Sequence, residues 1–173
     1  MSLSRVIFTG LVLALCLFLM GAVSAVITRN KSRLKLAIRY FLGTIFILYG
    51  LQNFFRLHPF DTPITGDIHS VKSADLFWYF FGYSQGYVSY LGAIEVISGI
   101  LIIVPRTFRL GALAIAITAT NIAILDFVYS VGPVQYWVSF LALLSFSLII
   151  MDRLPYQTAL QTLMRSTSKN SSS

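Results

Sequence analysis

The sequence predicts an all-α transmembrane protein. Four spanning helices form a bundle and a fifth precedes them, with the N-terminus outside and the C-terminus cytoplasmic. Three observations predict this. Of 173 residues, 57% are hydrophobic and 11% charged, against about 25% charged in an ordinary soluble domain. Apolar runs recur at the length needed to cross a hydrocarbon core of about 30 Å. The basic residues lie beside and between those runs, concentrated on one side. The ~10-residue alternating segments of a membrane β-barrel are not present. The net charge of +7 would suggest nucleic acid in a soluble chain. Here it belongs to topology and to anionic headgroups, and no nucleic-acid partner is expected. The lipid bilayer is the first partner.

The first apolar run is 6–27. Arg5, the apolar core and Val23-Ser24-Ala25 fit a cleaved signal peptide. Against that, Arg29, Lys31, Arg33, Lys35 and Arg39 follow at once, and cleavage would leave them on the translocated side. An uncleaved helix running outside to inside is the preferred reading. Residues 1–35 thus comprise this helix and a basic cytoplasmic loop. Cys16 is the single cysteine, so neither an internal disulfide nor a CxxC redox site is available. It reads as a packing or lipid-facing residue.

Residues 36–152 form the four-helix membrane domain. The second span, 36–57, carries Gly43 and Gly50 on one face, and Asn53 continues it. Small residues at that spacing let a neighbouring helix approach. Arg56 and His58 end the span, and Pro59 stops it. An outer loop, 58–86, includes a short helix from Ser73 to Phe81, with Ser73 as candidate N-cap and Asp75 in the first turn. Its aromatic run includes Trp78 and Tyr79, which with Trp137 read as interface anchors. This segment either lies on the bilayer or covers the open end of the bundle. The third span is 87–104, ending before Pro105. The fourth is 110–128, rich in small residues, and Gly132-Pro133 makes a turn. The fifth is 134–150. Residues 153–173 form a polar cytoplasmic tail.

Topology follows from charge. Ten basic residues fall on the cytoplasmic side: Arg29, Lys31, Arg33, Lys35, Arg39, Arg106, Arg109, Arg153, Arg165 and Lys169. Arg5, Arg56 and Lys72 fall outside. The opposite orientation would reverse this bias.

Glu95 is the one full charge within 87–104. Eight residues into the span, it lies about 12 Å deep. Facing lipid while ionised would cost at least ~2.5–3.5 kcal/mol. It must be neutral or turned inward. Its helical neighbours Leu91, Gly92, Ser98 and Gly99 are mostly small, which turns this face, Gly92 and Gly99 included, into the bundle. The predicted topology gathers Asn53, Arg56, His58, Asp126, Gln85 and Gln135 at one level, with Glu95 beneath them. They would line an outward-opening cavity. Thr118 and Asn121 are candidate partners for Glu95. The ligand-binding or proton-carrying candidates are therefore Glu95, Asn53, Arg56, Asn121 and Asp126. Each has a plainer reading. Glu95 could be a protonated carboxyl making one interhelical hydrogen bond, worth about 0.6 kcal/mol on average. Arg56 and Asp126 could be a boundary ion pair, and His58 an interface residue. His58, His69 and Asp61 lack metal-ligand spacing, so no metal site is predicted.

Several of these residues carry a family resemblance. Arg39-Tyr40-Phe41-Leu42-Gly43 with Tyr49-Gly50-Leu51-Gln52-Asn53-Phe54 resembles the first core helix of the DoxX-like membrane proteins. Gly92-Ala93-Ile94-Glu95 through Ser98-Gly99-Ile100-Leu101 resembles their second, and Arg109-Leu110-Gly111-Ala112 the start of their third. The resemblance covers roughly residues 37–150 and implies a four-helix bundle, to which the first span is an addition. It also implies a bacterial inner-membrane location and a redox-associated role: a subunit of, or accessory to, a membrane redox system. Such a protein would bind a quinone, a lipid-like molecule or a redox partner around Glu95. Two positions depart from the family. A lysine is common where Asn53 stands, and a histidine is common within the stretch from Asn121 to Asp126. Of the family's polar positions, only Glu95 carries over. No self-sufficient catalytic or cofactor site is visible, and a quinone is the one cofactor suggested. The alternatives are a non-catalytic assembly factor or scaffold for another membrane protein, and a small transporter. The lack of an internal repeat argues against the transporter. Oligomeric state is left open.

Overall fold

The computed structural model describes residues 15–24, 30–55 and 71–152. These form six helices and, among the described residues, no strand: α1 Leu15–Ser24, α2 Lys31–Phe54, α3 Ser73–Tyr83, α4 Gln85–Ile103, α5 Phe108–Val128 and α6 Val134–Met151. The helices α2, α4, α5 and α6 are long and apolar enough to cross a membrane. The predicted first span, 6–27, lies partly outside the described residues. Its described part, α1, is ten residues long and packs on the bundle, with Phe18 stacked on Phe41 at 4.4 Å. Cys16 is exposed.

Capping moves several boundaries from their predicted places. The second span was expected from residue 36, yet α2 begins at Lys31. Asn30 Oδ1 accepts hydrogen bonds from the Ser32 and Arg33 amides at 3.1 and 3.2 Å, extending the helix through the basic stretch. The expectation that Ser73 caps α3 is corrected. Lys72 holds the cap position without a side-chain bond, and the Ser73 hydroxyl donates to the Tyr129 carbonyl at 3.0 Å. A tertiary contact that docks α3 on the end of α5 displaces the local cap. Ser84 separates α3 from α4 and caps the latter, its hydroxyl accepting from the Tyr87 amide at 3.3 Å. The turn into α6 includes Gly132 at φ +97°, in the left-handed region that favours glycine.

The bundle runs up and down, so neighbouring spans are antiparallel. Helix α2 packs most closely on α4, and α5 on α6; α4 adjoins α5, and a thinner contact returns from α6 to α2. Glycine makes the α2–α4 contact close. Gly50 meets Gly92, and Gly43 meets Gly99, so that each glycine faces the backbone carbonyl of its partner. The core between the helices is aliphatic and small: Leu42, Ile45, Ile115, Ala119 and Leu141 are at most 1% exposed.

One end of the bundle is closed by charge on an aromatic ring. The Arg39 guanidinium donates to the Ile102 and Ile103 carbonyls at 3.1 and 2.9 Å, satisfying the open C-terminus of α4. Lys35, Arg39 and Arg109 all lie over the Phe108 ring, at 4.6, 4.5 and 5.3 Å from its centre. Asp152, just past α6, pairs with Lys35 and with Arg109, the latter at 2.7 Å. Partial burial alone would raise the Asp152 carboxyl. The hydrogen bonds and charges of Arg109 and Lys35 outweigh it and leave its pKa below the usual carboxylate value. A lowered folded-state pKa contributes stability above the unfolded value. That contribution is lost as pH falls through the folded value. Asp152→Asn is therefore expected to lower stability near neutral pH by about 0.2–1 kcal/mol, the range of partly exposed pairs. The gap between variant and wild type should close as unfolding is measured at progressively lower acid pH.

Candidate functional site

At the opposite end the helices part around a cavity of about 300 Å³. Each helix places its lining residues by spacing. Helix α2 offers Phe46, Tyr49 and Asn53 from one face, and α4 offers Val88, Leu91 and Glu95. Helix α5 contributes Thr118, Asn121 and Asp126, while Val138 and Leu141 of α6 complete the apolar wall. Helix α3 brings Phe77, Trp78 and Phe81 to the same cavity. Phe77 is fixed against Tyr129 at 5.0 Å and Phe81 against Tyr87 at 5.7 Å.

Glu95 is 6% exposed, and its Oε2 accepts a hydrogen bond from Asn53 Nδ2 at 2.7 Å. The register set by Gly50 and Gly92 puts the two backbones about 9 Å apart along the bundle. Side chains on a helix lean towards its N-terminus, so in an antiparallel pair these two lean towards each other and close that gap. Thr118 and Asn121 share the cavity with Glu95. Among the described residues, however, its hydrogen-bond partner is Asn53, on α2, rather than either of them. Asp126, expected at the membrane boundary near the end of its span, is only 2% exposed. The turn after α5 returns to the helix end, with the Val131 amide donating to the Asp126 carbonyl at 3.0 Å. Its side-chain Oδ2 is buried without a hydrogen-bond partner among the described residues.

Of the sequence-predicted candidates, Asn53, Glu95, Asn121 and Asp126 therefore meet at one cavity. Arg56, expected to pair with Asp126, lies outside the described residues, as does His58. Gln85 turns along its own helix to Ser89, at 3.3 Å, and neither it nor Gln135 lines the cavity. The expected anchors divide. Tyr79 is 41% exposed, on the outer side of α3, while Trp78 lines the cavity. Trp137 points into the bundle: its indole donates to the Tyr49 hydroxyl at 2.7 Å and its ring meets Phe41 edge-on. Tyr49 was missed in the sequence. The signal was its place one turn before Asn53, on the same face of an apolar helix. Tyr49→Phe should destabilise by about 1–3 kcal/mol, because it leaves the Trp137 N–H unpaired in an apolar bundle. The unfolding midpoint in detergent measures this, and Tyr49→Phe with Trp137→Phe should recover much of the loss.

Chemically, the site combines apolar walls, an aromatic roof, an amide-held carboxyl and a second carboxyl, Asp126, whose Oδ2 has no hydrogen-bond partner among the described residues. No group of three or more His, Cys, Asp or Glu able to hold a metal occurs among the described residues.

Comparison with known proteins follows the same helices. The chain is 32% identical over 117 residues to the uncharacterized protein YwoB of Bacillus subtilis (strain 168), covering 66% of this chain and 74% of that protein. No solved structure matches. The DoxX family profile matches residues 34–128, which take in nearly all of α2 and the whole of α3, α4 and α5. That segment is more than half of the chain and holds Asn53, Glu95, Asn121 and Asp126 alike, so the protein belongs to the DoxX family of membrane proteins.

Proposed function

We propose that this multi-pass membrane protein holds a small, largely apolar molecule, lipid-like or a quinone, in the cavity at Glu95. It serves there as a subunit of, or accessory to, a membrane redox system. The observation that carries the reading is the cavity itself: an apolar space with a hydrogen-bonded carboxyl, Glu95, in its wall. Its volume lies at the lower end of the range for small-molecule sites, ~300–1,000 Å³. That suits a single ring or the head of a longer molecule, with its tail between helices. Glu95, oriented by Asn53, offers a hydrogen bond or a proton to that head. Cys16 takes no part in the cavity, so electrons would pass through a partner protein. The placement that fits is a bacterial inner membrane. The basic end, with Lys35, Arg39 and Arg109, would face the cytoplasm, the cavity would face outward, and the N-terminal run would add a fifth span.

One observation weighs against the rival reading, a pure scaffold. A scaffold would offer a glycine-lined groove to its partner, whereas Gly43, Gly50, Gly92 and Gly99 are used within the α2–α4 contact.

Native mass spectrometry of protein extracted gently from its membrane, wild type beside Glu95→Gln, tests the reading. A bound apolar molecule of low mass, reduced or lost in the variant, is the expected result. A protein partner retained by both, with no small molecule in either, would overturn it in favour of the scaffold.

A further inference from the structure

Among the described residues, the charged groups lining the cavity are acidic, against the basic excess of the whole chain. The protein carries 13 Lys and Arg against 6 Asp and Glu. Two of those six acids, Glu95 and Asp126, line the cavity, and among the described residues no base does. Both are more than nine-tenths buried. Buried polar atoms in folded proteins are nearly always paired, and Asp126 Oδ2 has no partner among the described residues. The remaining wall is rich in aromatic rings, including Tyr49, Phe77, Trp78 and Phe81. Ring faces carry partial negative charge and attract cations, ammonium groups in particular. A hard metal cation favours several carboxylates in one shell, and no group of three or more His, Cys, Asp or Glu occurs among the described residues. An alkylated ammonium needs only carboxylate charge and ring faces.

We propose that the occupant of the cavity is an amphiphilic organic cation, an alkyl- or aryl-substituted ammonium. Glu95 and Asp126 hold its charged end, and its apolar part lies against the aromatic roof. This rests on the reading of the cavity as a small-molecule site. It selects, from the lipid-like class, molecules with a positive head over neutral quinones, whose carbonyl oxygens would meet the carboxyls acceptor to acceptor unless a proton intervened.

The test compares two probes of one shape, benzyltrimethylammonium and its uncharged isostere neopentylbenzene. Each is titrated into the full-length protein in nonionic micelles, and binding is read as the concentration-dependent rise of the unfolding midpoint. The cation is expected to bind at least about tenfold more tightly than the isostere. Asp126→Asn should remove most of that preference, weakening the cation far more than the isostere. The wild-type comparison needs no variant, so a misfolded substitution does not decide the result. Equal binding of both probes would overturn the cation assignment and leave the cavity reading standing. No binding of either would overturn both.

Discussion

Asn53→Leu is expected to destabilise the protein by about 1–3 kcal/mol, and adding Glu95→Met should recover most of that loss. The single substitution keeps the volume at residue 53 but removes the N–H that Glu95 Oε2 accepts at 2.7 Å. The carboxyl, 6% exposed, then loses its hydrogen-bond partner among the described residues. Replacing it with methionine of similar length removes the group that needed a partner. An ordinary interhelical hydrogen bond in a membrane is worth about 0.6 kcal/mol, because the unfolded chain also finds partners there. Glu95 should exceed that figure because a carboxyl costs more than an amide or a hydroxyl to leave unpaired. Unfolding in detergent, followed for both single variants and the double, gives the coupling directly. A double variant no more stable than Asn53→Leu would mean that the pair does not couple. A stable double variant that has lost its bound molecule would separate the ligand role of Glu95 from its structural one.

Gly50→Leu is expected to be strongly destabilising, and Gly50→Ala already costly. A Cβ on residue 50 would lie 2.5 Å from the Gly92 carbonyl oxygen and 2.9 Å from the Val96 amide nitrogen. These are backbone atoms of a hydrogen-bonded helix, so they cannot rotate away as a side-chain tip would. The helices must separate, at a cost of about 1–3 kcal/mol for one added methyl and more for leucine. Separation would also pull Asn53 from Glu95, so the variant should lose bound ligand as well as stability. Gly86→Ala serves as the control, since the nearest atom to its new Cβ, the Ser84 hydroxyl oxygen, is 3.9 Å away. Comparing unfolding midpoints and retained ligand tests this. A Gly50→Ala protein as stable as Gly86→Ala would contradict the close contact of α2 and α4.

The four long apolar helices and their order were legible in the sequence because each such helix satisfies its own backbone hydrogen bonds and needs only an apolar run of sufficient length. Counting along such a run also gives depth, and so Glu95 could be placed near the middle of α4 before any contact was known. The small-residue face through Gly92 and Gly99 was legible too, since few other patterns let membrane helices approach. Helix ends were less so. Ser73 carried a sound capping signal, but its hydroxyl is taken by the Tyr129 carbonyl, a partner 56 residues away that no local pattern reveals.

What only the tertiary structure decided is rotation and register. These helices are apolar on nearly every face, so no polar stripe announces which side turns inward. Whether Trp137 met lipid headgroups or Tyr49 depended on how α6 settled against α2. Likewise, the 2% exposure of Asp126 depends on the packing around the end of α5, which its place in the sequence does not state. The pairing of Asn53 with Glu95 follows from the Gly50–Gly92 contact and the opposed lean of side chains on antiparallel helices. Length and apolarity are local properties that a sequence states outright. That Glu95 and Asp126 share a cavity was already expected from topology; that Glu95 takes Asn53 rather than Thr118 or Asn121 is a property of several packed surfaces at once, and it exists only when those surfaces are in place.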